Sequence, residues 1–445
     1  MNSRHSRCGA LHWALVASVA SVASVATLAA CGGGRSAPDG PQPSTQPSAP
    51  VDSRQTLTQY LAARPAARSW PLAPAPSADQ LAAPVAWLQG GSDQVFAGSD
   101  LTPSDHYNRI SVPALVDGLR PLLLAAATGA TLTQIQSLWP DPGARSAPLV
   151  QRELWAQPQA RFLPGFLNAS DRQAPLLTAW RAGTAAEPAA LKPAWPDYLG
   201  ASSVGLDERT ALLLIDQVDV QQAWPTGSSL ADGLWDFGAG YPAIVSLRSV
   251  PGEHWTLAGP GWQAEGLKLA QSHLIRLQPA AGGLEDFIKQ GATPALAEVI
   301  ARLHQGLPAA PGVLRLPEGV AWSGWQLGWP TEVTLPLDKD RAELTQIDGA
   351  AAFAQIQQGT ASWEISEQGM RLRAGLALTL KHRTDPGSAT GVVTTTWNPS
   401  LPPPCPALGP PLRSHVLVWL DAQYRLIGLQ ALRRPAGPLP PCART

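Results

Sequence analysis

Apolar and polar residues divide this chain into three stretches. The first opens with two basic residues, Arg4 and Arg7, and continues as an Ala- and Val-rich apolar run from Leu11 to Ala30. A charged start, an apolar centre and small residues at the end make the layout of an export signal. The run approaches the length that spans a bilayer, so a retained helix is the competing reading. From Gly32 to Arg54 the chain is Gly, Pro, Ser and Gln with almost no large apolar residue. Such a stretch cannot bury enough surface to offset its ordering entropy. The pattern therefore predicts a signal over 1–30, a tether over 31–54 and a folded body over 55–445, for which the length suggests two or three domains and the lack of a second Pro/Ser/Gly linker equally allows one.

Within the body, Asn108 to Pro113 opens a helical pattern, with Pro113 suited to the first helical position. Leu115, Leu119, Leu122, Leu123 and Ala126 recur at helical spacing. Pro121 inside this run predicts a kink or a split. Gly129 predicts an end, and Thr131 a new turn leading to Ile135 and Leu138. Thr210 to Val220 predicts a strand. Its first half is continuously apolar, as in a strand buried on both faces, and its second half alternates. Short Val, Leu and Trp runs between Tyr241 and Gln278, broken by Pro-Gly and Gly-Pro-Gly, predict antiparallel hairpins. Thr293-Pro294 begins a helix carrying Leu296, Val299, Ile300 and Leu303, stopped near Gly306. Val333 to Pro336 predicts a short strand and Met370 to Lys381 a long one. Val416–Leu420 and Leu426–Leu429 form a final pair around Asp421-Ala422. Helices dominate the first part and strands the rest, which is an α+β fold with a large, antiparallel-rich sheet system.

Charge and cysteine usage narrow the function. The 32 basic and 33 acidic residues leave a net charge of −1, which excludes a nucleic-acid partner held by a basic face. Leu28-Ala29-Ala30-Cys31 resembles the bacterial lipoprotein box, in which the Cys thiol is lipidated and becomes the first residue. That resemblance makes Cys31 the lipidation site and implies a membrane-anchored protein of the cell envelope. Gly32 after it, rather than Asp, resembles the pattern for passage to the outer membrane. Cys8 leaves with the signal, so Cys405 and Cys442 remain; in an oxidising compartment an isolated pair reads first as a disulfide. Two Cys without a nearby His make a poor metal site, and no cofactor or metal is expected. The 17 Trp residues read either as a sugar-stacking surface or as core packing, and, with Trp13 leaving in the signal, the scatter of the other 16 from Trp70 to Trp419 without a repeat favours packing. The chain lacks H-E-x-x-H, G-x-S-x-G, S-x-x-K and P-loop motifs, and nothing in it argues for an enzyme.

Several of these segments together resemble the serpin family. Asn108 and Pro113, with Thr131 and Ile135, match a serpin helix segment in type and spacing. Thr210 to Trp224 resembles the serpin strand that ends in Trp, Leu372 to Gly387 the strand feeding the reactive loop, and His415 to Leu429 the closing strand pair. The resemblance implies a single domain over 55–445, with N-terminal helices packed on a large central β-sheet and additional antiparallel sheets, and a monomeric protease inhibitor rather than an enzyme. Its partner would be a serine or cysteine protease that cuts a bait loop. The cut loop then inserts as an extra strand in the main sheet. Gly387 takes the place of the hinge Gly, followed by Ser388, Ala389 and Thr390 in an uncharged segment to Thr396 that a sheet interior tolerates. An alternative is that 388–396 is a permanent strand. The family spacing puts the cleaved bond near Leu401, but Pro402 follows, so Trp397–Asn398 and Ser400–Leu401 are the nearest usable bonds. The proline run, Val112 in place of the family Ser and Asp216 in place of its Asn favour a second reading, a non-inhibitory binding or structural lipoprotein of the same fold. A Trp-rich carbohydrate-binding or hydrolytic lipoprotein unrelated to serpins is the third.

Overall fold

The computed structural model describes residues 54–56, 59–60, 76–86, 88–89, 108–138, 150–156, 159–173, 177–182, 209–236, 243–325, 342–382, 411–433 and 435. The contacts of Asp52–Thr445 make one compact unit. Pro113 opens a helix that runs Pro113–Ala126, and Leu115, Leu119, Leu122, Leu123 and Ala126 are all buried on its inner face. Pro121 lies inside this helix, which runs through it without being split. An interior proline costs about 3 kcal/mol. The stripe on either side of it, Leu119, Leu122 and Leu123, gains about 1.5–3 kcal/mol per buried side chain, which outweighs that cost. The helix ends where the Ala127 N–H donates to Leu123 O, and Gly129 at φ +51° starts the next helix, Gly129–Leu138. Thr131 is buried there, and its Oγ1 accepts from the Glu343 N–H at 2.9 Å.

Among the described residues, two large sheets enclose the main core. One has six strands in the order Gly319–Trp325, Ala352–Ile365, Gly369–His382, Thr210–Ala223, Gln151–Ala156 and Leu177–Ala182. The 210–223 strand is buried from Thr210 to Asp216, then alternates, with Asp219 and Gln221 exposed, as its pattern predicted. The second sheet has nine strands, among them the hairpin-connected strands Ala243–Gly259, Trp262–Lys268 and Ser272–Pro279 together with His415–Asp421 and Leu426–Leu432. Trp363 of the first sheet and Trp419 of the second pack tilted against each other, 48° between planes and 5.9 Å between ring centroids. Gly428 makes this approach possible, because a Cβ there would stand 2.7 Å from Leu372 and 3.2 Å from Trp363.

A second core lies on the other side of the nine-stranded sheet. Helix Ala292–His304 buries Leu296, Val299, Ile300 and Leu303 against Ile275, Val418 and Leu429, and helix Leu284–Gln290 adds Leu284, Phe287 and Ile288. The predicted stop appears at Gly306, φ +83°. Helices and several sheets, dominated by two large ones, make the α+β architecture expected. The strand predicted at Val333–Pro336 lies outside the described residues.

Candidate functional site

The place of interest is the middle of the six-stranded sheet. Strand Gly369–His382 alternates long apolar residues with smaller or charged ones, and Met370, Leu372, Ala374, Leu376, Leu378 and Leu380 all join the main core. It pairs antiparallel with Ala352–Ile365 on one side, with Leu378 opposite Ile356 and Leu372 opposite Trp363. On the other side it pairs antiparallel with Thr210–Ala223, with Leu378 opposite Leu214 and Leu380 opposite Leu212. Its two neighbours therefore run parallel to each other, and this strand fills the slot between them.

Both ends of the strand are fastened. At its start a tight turn joins it to the 352–365 strand, with the Ser366 N–H donating to Gly369 O at 2.9 Å. Gly369 sits at φ +152°, and a Cβ there would stand 2.1 Å from Gln222 O and 2.9 Å from Ala223 Cα. Only glycine fits against that backbone. The Trp224 indole N–H donates to Ser366 O at 2.8 Å and the Ser228 hydroxyl to Glu367 O at 3.3 Å, which closes the turn against the next strand. Along the outer face Arg371 makes a bidentate pair with Asp219 at 2.6 and 2.8 Å. That pair is well exposed, so it contributes about 0–1 kcal/mol.

At the strand's far end the His382 N–H donates to Arg209 O at 2.7 Å, and His382 Nε2 lies 3.2 Å from Asp348 Oδ2. Hydrogen bonding to Asp348 raises the His382 pKa above its ordinary value against the opposing effect of burial. Burial works against the Asp348 charge, but His382 and the Ala350 N–H outweigh it and hold that carboxylate below its ordinary range. The two pKa shifts have one cause, an ion pair that favours both charged forms.

The resemblance made Leu372 to Gly387 the strand that feeds the loop; instead Gly369–His382 lies between Ala352–Ile365 and Thr210–Ala223, and Ala352–Ile365 is the strand that leads into it. The other candidate residues read from sequence fall elsewhere. The hinge residues Gly387, Ser388, Ala389 and Thr390, the bait residues Trp397, Asn398, Ser400 and Leu401, the pair Cys405 and Cys442, and Cys31 all lie outside the described residues. The sequence reading missed strand Ala352–Ile365 and, with it, the turn at Gly369. The signal was there, because Ser366-Glu367-Gln368-Gly369 is a turn between two runs of alternating residues. Gln357-Gln358-Gly359 obscured the alternation, and the structure has a register shift between Ile356 and Gln358. Trp155, Trp224, Trp235, Trp255, Trp262, Trp363 and Trp419 are all buried, so among the described residues these Trp pack the core instead of forming a stacking surface. No group of three or more His, Cys, Asp or Glu stands together as metal ligands among the described residues.

Neither a family model nor a curated protein sequence matches this chain. Solved structures do. A structure titled "Cleaved Serpin 42Da" superposes with a TM-score of 0.55 at 14% identity, over 76% of this chain and 94% of that one. A loop-inserted structure of a cleaved ovalbumin mutant gives 0.54 at 12% identity, over 74% and 93%. A thermophilic serpin, tengpin, in the latent state gives 0.53 at 10% identity, over 79% and 97%. The chain has the serpin fold.

Proposed function

We propose that this protein is a serpin-fold lipoprotein of the cell envelope that serves as a binding module and does not trap proteases. The carrying observation is strand Gly369–His382, paired on both edges between two parallel strands. Trapping by insertion needs that slot to be empty until the bait is cut. Here the slot holds a strand with Met370, Leu372, Leu376, Leu378 and Leu380 on its core face. Returning those five side chains to water would cost at most about 8–15 kcal/mol. That rivals the whole stability of an ordinary domain, about 5–15 kcal/mol. A five-stranded form with this segment outside would show those side chains to water and lie well above the filled sheet in free energy.

The lipid anchor at Cys31, the tether over 31–54, the single domain over 55–445 and the Cys405–Cys442 disulfide belong to the same proposal and rest on the sequence. The inhibitor reading keeps one support, the uncharged segment after Gly387 with usable bonds between Trp397 and Leu401. One experiment separates the two. The full chain is incubated with trypsin, chymotrypsin and elastase. Chain nicked after His382, with no complex stable to denaturing electrophoresis and no gain in thermal stability, is expected. A covalent complex, or a nicked form that melts distinctly higher, overturns the binding-module reading in favour of inhibition.

A further inference from the structure

Two arginines meet where the second core reaches its edge. Strand Arg109–Ser111 pairs antiparallel with Leu426–Leu432, and Arg109 stands opposite Ala431. Ala431 and Leu429 are buried in the core formed with helix Leu284–Gln290, so the Arg109 side of this strand pair is the side facing that helix. Arg433 lies two residues beyond Ala431, which in an extended chain returns it to the same side and diagonal to Arg109.

Arg433 is well used. Its Nε meets the Glu285 carboxylate, its Nη2 donates to Leu88 O at 2.7 Å, and its backbone N–H donates to Asn108 Oδ1 at 2.9 Å. Arg109 differs. Its side chain is half-buried, yet among the described residues its guanidinium donates to no acceptor. Burial and the Arg433 cation disfavour its charge, and Glu285 is the one group that supports it. Among these groups two cations share one carboxylate. A half-buried guanidinium has five donors to satisfy and stays charged, so Arg109 offers donors that an anion can meet.

We propose that Arg109 and Arg433 form a binding site for an oxyanion, a phosphate or carboxylate group, between strand Arg109–Ser111 and helix Leu284–Gln290. The guanidinium fork presents two parallel N–H groups, which matches two oxygens of either group. Arg109 supplies the free fork. Arg433, held by Glu285 and Leu88 O, supplies fixed positive charge. The ligand is thus a small acidic molecule or the acidic group of a larger one, and the site lies apart from the central strand.

Calorimetric titration of the full chain tests the proposal. Inorganic phosphate and acetate are the probes, each exchanged against chloride at constant ionic strength. Saturable binding of one probe is expected, weakened at least tenfold by Arg109→Gln. Arg109→Lys keeps the charge, loses the fork and should fall between the two, and it serves if Arg109→Gln does not fold. The probe that saturates tells a phosphate from a carboxylate ligand. Absence of saturable binding of both probes, or equal binding by wild type and the Arg109 variants, overturns the site.

Discussion

Replacing Leu378 with alanine tests whether the middle strand is a permanent part of the fold. Leu378 has no exposed surface, joins the main core and sits between Leu214 and Ile356 in the two flanking strands. Truncating such a residue loses its transfer free energy and leaves a cavity whose walls relax only in part. Leu→Ala changes of this kind cost about 2–5 kcal/mol. Fastening at Gly369 and at His382 limits how far the strand can shift to close the cavity, which places the expectation in the upper half of that range. Urea unfolding followed by tryptophan fluorescence reads the change directly, since Trp363 and Trp419 lie in the same core. A segment that spent much of its time outside the sheet would lose far less, because the folded ensemble would not depend on it. A measured cost under about 1 kcal/mol with an unchanged urea slope would falsify the claim that 369–382 is permanently built in.

Three further outcomes follow from the same geometry. Gly369→Ala should destabilise the fold by several kcal/mol or prevent it, because its Cβ meets the Gln222 and Ala223 backbone rather than movable side chains; near-wild-type unfolding of this variant would refute the tight turn. Burial depresses the pKa of His273 to about 4 and of His415 to about 3, with Lys268 and Arg276 respectively adding to the effect. The unfolded chain therefore binds more protons below the ordinary His value of about 6.5, and stability should fall by up to about 1.4 kcal/mol per pH unit per residue from there towards pH 4; urea midpoints that stay level over that window would contradict it. The His382–Asp348 pair acts oppositely at its upper limb. The raised His382 pKa contributes stability that is complete below about 6.5 and lost as pH rises through the folded value, while the lowered Asp348 pKa contributes stability present above about 3.9 and lost on acidification. His382→Gln should accordingly cost most between about pH 4 and 6.5, and a cost independent of pH from 5 to 9 would dissolve the ion-pair account.

Local chemistry made much of this protein legible from its residues. The stripe from Leu115 to Ala126, the continuous apolar run from Ala211 to Ile215, the alternation from Met370 to Leu380 and the pair around Asp421 each announce their element, because periodicity reports which face is buried. Those elements, in that order, also carried the likeness to serpins. Pattern could not say which strands lie side by side. An alternating run looks the same at a sheet edge, in a feeding strand or in a central slot, since its own residues record burial and not partners. Met370–Leu380 was therefore legible as a strand but not as the filler between two parallel neighbours. That role depends on Gly369 packing against Gln222, on Trp224 closing the turn and on His382 reaching Asp348, contacts between residues from 34 to 147 positions apart. The pairing of Arg109 with Arg433, joined across 324 positions, is of the same kind. Hydrophobic periodicity is a property of neighbours in sequence. Strand order, the filled slot and the unmatched arginine are properties of neighbours in space, and only the folded chain decides them.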